Sequence, residues 1–98
     1  MDQKLEFIYF TLRKQSDYID FHKHECYELV YYINGKGSTT IEGSTYHYTA
    51  NSFALLKPNC IHDEIHLEDT DVIFIGFRCS IMPIPFNMLF SDDPQRNI

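Results

Sequence analysis

Turn signals recur about ten residues apart along this chain, and the stretches between them carry no helical period. Asn34-Gly35-Lys36-Gly37 offers the positive φ that a tight hairpin needs, and Gly43-Ser44 is a second turn. Pro58-Asn59 and Glu68-Asp69-Thr70 are two more. The runs between them predict strands over Leu5–Leu12, Glu25–Ile33, Ser38–Glu42, Thr45–Tyr48, Ser52–Lys57, Ile61–Leu67 and Asp71–Cys79. Short strands at that spacing fold as an antiparallel sandwich or barrel. The aromatic content agrees: seven Tyr and eight Phe, with no Trp, supply aromatic sheet faces.

With 98 residues the chain is one domain, since chains divide only at roughly 150 residues and above. Fourteen acids against eight bases leave a net charge of −6. That balance argues against a direct grip on nucleic acid or an anionic membrane, both of which call for a basic face. No run approaches the ~18 apolar residues of a membrane span. Met1-Asp2-Gln3-Lys4-Leu5-Glu6 has no basic region leading into an apolar one, so no secretory signal is expected. Cys26, Cys60 and Cys79 are an odd set without a CxxC pair and read as reduced thiols in a cytoplasmic protein.

The last residues change character. Met82-Pro83-Ile84-Pro85 cannot continue a strand, because proline lacks the ladder donor. Asp93-Pro94 has the form of a helix cap followed by proline at the first helical position. The expectation is a barrel over residues 1–80 and an irregular tail over 81–98 that leads into a truncated helix. A frayed polar terminus is the plainer alternative.

One stretch stands out for its chemistry: His22-Lys23-His24-Glu25-Cys26-Tyr27-Glu28. On an extended strand His22, His24, Cys26 and Glu28 would share one face. Two imidazoles and a carboxylate on one face can hold a divalent ion such as Zn, Fe, Mn or Ni. His62 opens a later strand, and His66 falls on its same face four residues on. Such a set from two strands leaves coordination positions open for a ligand.

These residues resemble the cupin family. His22-x-His24-x3-Glu28-x6-Gly35 fits its first motif, and Asn51-x5-Lys57-Pro58-Asn59-x2-His62 follows the spacing of its second. Asn51 and Asn59 replace two glycines, Lys57 replaces the proline, and His66 stands where the family usually has Asn. Asn tolerates a left-handed backbone better than other non-glycine residues, so the turns are expected to survive. The resemblance implies His22, His24, Glu28 and His62 as metal ligands.

A narrower resemblance runs from His22 to Phe77. Glu28-Leu29, Tyr31, Gly35-Lys36-Gly37, Ile41-Glu42-Gly43, Tyr46, Leu55-Leu56-Lys57-Pro58, His62 and Ile75-Gly76-Phe77 follow, in order and spacing, the N-terminal effector-binding domain of AraC-type bacterial transcription regulators. The resemblance implies an all-β, cupin-type antiparallel β-barrel (a double-stranded β-helix or jelly roll), truncated before C-terminal helices. It implies a barrel that senses a small molecule, often a sugar, with DNA bound only through a helix-turn-helix domain beyond residue 98. A homodimer would form in the full-length protein, through helices that follow the barrel.

On this reading His22, His24, Glu28, Tyr32, His62 and His66 are the candidate ligand-binding residues, with Tyr9, Tyr31, Phe53, Phe74 and Phe77 as further wall candidates. No catalytic residue and no resident cofactor are expected, and a divalent metal at His22, His24, Glu28 and His62 is the alternative to histidines that simply hydrogen-bond a ligand or Glu28. The runner-up function is a small stand-alone metal-dependent cupin enzyme, a dioxygenase or isomerase. Against it, the chain has no nucleophile elbow, no phosphate loop, and no second carboxylate on the Glu28 face of that strand. Asp63, Glu64, Glu68, Asp69 and Asp71 read as a solvated hairpin face, and His47 as solvent-facing.

Overall fold

The computed structural model describes residues 4–78 and the backbone of 88–91. Nine strands run in chain order: β1 (Lys4–Arg13), β2 (Tyr18–His22), β3 (Tyr27–Tyr32), β4 (Gly37–Ile41), β5 (Ser44–Tyr48), β6 (Ser52–Leu56), β7 (His62–His66), β8 (Thr70–Arg78) and β9 (Met88–Ser91). They form a five-stranded sheet ordered β1-β8-β3-β6-β9 and a four-stranded sheet ordered β2-β7-β4-β5, and every pairing is antiparallel. All the described elements are strands, so no helix among the described residues could cross a membrane.

Alternate residues of β3, β4 and β6 turn inward, as strand geometry requires. Val30 and Tyr32 from β3, Ala54 and Leu56 from β6, Val72 from β8, and Ile41 and Tyr48 from the facing sheet make the core, joined by Cys60. Tyr32 and Tyr48 stack across it with centroids 3.9 Å apart and planes 9° from parallel. Cys26 and Cys60 are free and buried; Cys79 and the Asp93-Pro94 helix signal lie outside the described residues.

The structure corrects the expected strand plan in four places. Tyr18–His22 is a strand the periodicity passed over, because its side chains are exposed or only partly buried on both faces and alternate weakly. Met88–Ser91, assigned to an irregular tail, adds β9 to the edge of the larger sheet beside β6. Asn34-Gly35 does give a positive φ (77° at Gly35), yet it joins no hairpin: it carries the chain from β3 in one sheet to β4 in the other. The tight hairpin is β4–β5, where Glu42 (φ 48°) and Gly43 (φ 84°) fill the two central positions of a primed turn. Asn51 and Asn59 both adopt φ 64°, the left-handed conformation that glycine would otherwise supply.

Candidate ligand and metal site

The fourth correction concerns the site itself. His22, His24 and Glu28 do not alternate along one strand. His22 ends β2 in the smaller sheet, Glu28 lies on β3 in the larger one, and His24 sits on the crossing between them. The crossing occurs because β2 pairs with β7, placing His22 directly opposite His62, while β3 pairs with β6 and β8. The cluster therefore straddles the seam between the sheets.

His22, His24 and His62 each bring a ring nitrogen to within 4.8 Å of the others. Glu28, 4% exposed, reaches across from the opposite sheet: Oε1 lies 3.3 Å from His62 Nε2 and Oε2 lies 3.3 Å from His24 Nε2. Two of the rings are held by their other nitrogen, His22 Nδ1 by the Asp20 carbonyl at 2.8 Å and His62 Nδ1 by the Cys60 carbonyl at 3.0 Å. A backbone carbonyl accepts only from N–H, so each ring is protonated at Nδ1 and presents Nε2, the arrangement that readies a histidine for a metal. The donor set thus fits a divalent ion. Asn59 braces the same corner, since its N–H donates to the His24 carbonyl at 2.6 Å.

The electrostatics differ from ring to ring. Burial opposes charge on His62, but hydrogen bonds with Glu28 and the Cys60 carbonyl and the nearness of Glu28 and Glu64 outweigh it and raise its pKa. His24 moves the other way, lowered chiefly by desolvation despite the Glu28 carboxylate, with His22 and His62 adding to the decrease.

A cavity of about 340 Å³ opens beside the cluster. Its polar lining is His22, His24, Glu28, His62, Glu64 and Arg13, and its walls are Phe7, Tyr9, Ile19 and Phe74. Phe7 reaches in over Gly76, where any Cβ would stand 2.1 Å from the ring. The volume falls at the lower end of the ~300–1,000 Å³ typical of small-molecule sites.

Glu64 and Asp63 overturn the expectation of a solvated acidic face. Both are buried, because β7 is an interior strand of its sheet. Glu64 faces inward and accepts a hydrogen bond from Tyr32 Oη at 2.7 Å, while Asp63 accepts from the Thr40 N–H at 2.8 Å. A second carboxylate therefore does reach the cavity, from a different strand. Glu68 and Asp69 are exposed as expected, and so is His47.

Tyr32 and His66 stand behind the cavity rather than in its lining. Tyr32 supports Glu64, and His66 Nδ1 meets Tyr48 Oη at 2.7 Å while its Nε2 lies 3.6 Å from Glu64 Oε1. Of the aromatic wall candidates, Tyr9 and Phe74 line the cavity. Tyr31 instead stacks on Phe53, and Phe77 on Tyr27, away from it. Cys26 is buried outside the histidine cluster. Phe7, Arg13, Ile19 and Glu64 are lining residues that motif spacing could not reveal. Arg13, the lone arginine among the first seventy-seven residues, carried the only available signal.

Residues 4–81 match the AraC-like ligand binding domain family. No curated protein sequence matches the chain. Among solved structures, ToxT from Vibrio cholerae, in an unsaturated fatty acid-bound form, is similar with a TM-score of 0.67 and 16% identity over 87% of this chain and 40% of its own. A predicted oxalate decarboxylase from Thermotoga maritima has a TM-score of 0.72 and 16% identity over 78% of this chain and 69% of its own. A salicylate 1,2-dioxygenase from Pseudaminobacter salicylatoxidans has a TM-score of 0.67 and 9% identity over 70% of this chain. This chain spans 20% of the dioxygenase's length. At these identities the likeness establishes the shared cupin-type fold.

Proposed function

The chain belongs to the AraC-like ligand-binding domain family, and on that premise we propose that it is the effector-sensing module of a transcriptional regulator whose helix-turn-helix DNA-binding region lies elsewhere in the full-length protein. The observation that carries this reading is the cavity at the seam of the two sheets, with apolar walls and a polar end formed by the histidines and Glu28 facing a second, cationic end at Arg13. A bound effector would touch both sheets at once. A small hydroxylated or anionic molecule, a sugar among them, suits the polar end formed by His22, His24, Glu28 and His62. Those four residues would also hold a divalent ion such as Zn, Fe, Mn or Ni, which when bound supplies a Lewis-acidic anchor for a ligand oxygen. A cytoplasmic setting suits the free, buried thiols of Cys26 and Cys60, and the regulator would act as a homodimer.

Glu28→Gln tests the site. The substitution keeps the volume and removes the charge that faces His24 and His62. Calorimetric titration with sugars and with divalent metals should show binding weakened by about 1–3 kcal/mol, as for one lost charge-assisted hydrogen bond. Unchanged binding of every titrant would remove Glu28 from the site. The second reading, a metal-dependent cupin enzyme, is favoured by the two Nδ1-anchored rings. It calls for near-stoichiometric metal together with turnover, and turnover is what separates it from sensing.

A further inference from the structure

Among the described residues, Arg13 is the one cavity-lining charge left unanswered. Glu28 is engaged by His24 and His62, and Glu64 by Tyr32 and His66. The Arg13 guanidinium has no hydrogen bond or ion pair among the described residues, and its Nε is buried without a partner. The guanidinium lies over an aromatic face, with Cζ 5.4 Å from the Phe74 ring centroid. An arginine resting on a ring keeps its in-plane N–H fork free, and that fork matches a carboxylate bidentately. A desolvated donor without an acceptor is costly, so an acceptor from outside would restore what burial removes.

The strand register separates this charge from the histidines. Phe7 and Glu28 both lie beside Gly76, whereas Arg13 pairs with Thr70, six residues earlier on β8. The cavity thus has a histidine–carboxylate end, where Phe7 also lies, and a cationic end, with the paired Tyr9 and Phe74 between them.

We propose that Arg13 anchors the carboxylate of a small, flat organic acid whose ring or apolar body lies against Phe7, Tyr9 and Phe74. The inference rests on the sensing role above and narrows its ligand class. A single negative charge suits the cavity better than a double one, because Glu28 and Glu64 line it too and would repel a phosphate dianion.

Phenylacetate and phenylacetamide, equal in shape and different in charge, are the probes. Calorimetry on the protein should give phenylacetate at least tenfold tighter binding than the amide, the scale of one charge-assisted hydrogen bond. Arg13→Gln should abolish that preference and Arg13→Lys should keep part of it. Because the guanidinium makes no hydrogen bond or ion pair among the described residues and rests only on the Phe74 ring, Arg13→Gln should melt close to the wild-type temperature; a large fall would assign Arg13 a structural role and overturn the proposal. Equal binding of acid and amide, or a preference that survives Arg13→Gln, overturns the anion anchor while leaving the sensing role in place. Inorganic phosphate binding as tightly as phenylacetate overturns the flat monoacid. Failure of both probes overturns the inference, and only when joined by a silent Glu28→Gln in sugar and metal titrations does it reach the sensing role.

Discussion

The two asparagines show how a single residue can decide the geometry of a site. Asn59 sits at φ 64°, and from that turn its N–H grips the His24 carbonyl while the chain proceeds three residues to His62. One left-handed residue therefore fixes two of the clustered histidines. Asn59→Gly keeps the conformation and should be nearly neutral, whereas Asn59→Val places a β-branched residue where φ is positive and should cost about 1–3 kcal/mol. Denaturant melts would check the stability, and metal titration should show a matching loss of affinity in the valine variant alone. This much was legible in the sequence, since asparagine stands where the cupin pattern has glycine and is the best non-glycine substitute. Glu64 and Arg13 were not legible. Nothing in their spacing says that an acidic hairpin residue is interior or that a strand-end arginine bends over Phe74, because both facts come from pairings between distant strands.

At the level of elements, the sheets follow from turns and alternation, but which strands share a sheet does not. His22-x-His24-x3-Glu28 looks like one strand face and is a crossing between sheets; the motif was readable, its geometry was not. The same pairing logic explains Gly76. On β8 it lies opposite both Phe7 and Glu28, and its missing side chain is the space in which the Phe7 ring lies. Gly76→Ala should push Phe7 aside at a cost of about 1–3 kcal/mol, as over-packing does. Ligand affinity should fall as well, since Phe7 is a cavity wall. Wild-type affinity in a destabilised Gly76→Ala variant would separate the ring from the site.

For the whole molecule, the buried phenols set an alkaline limit. Desolvation raises the Tyr48 pKa from 10.0 to about 12, the Thr70 hydroxyl opposing and Glu64 and Glu68 reinforcing the rise. Tyr32 is raised in the same direction, first by burial and then by Glu64. The unfolded chain thus gives up these protons at lower pH than the folded one. The resulting stability is whole below pH 10 and drains away as pH climbs towards 12, Tyr48 alone accounting for ~2–3 kcal/mol. Circular dichroism and tyrosinate absorbance should change together in that window, and ionisation of every tyrosine near pH 10 with the fold intact would contradict it. The seam has a mechanical side too. Glu28 and His62 are rivets driven through from opposite plates, so the plates cannot slide past one another without shearing them. An occupant lodged at that joint would stiffen the shell against shear, and an empty joint would let it flex.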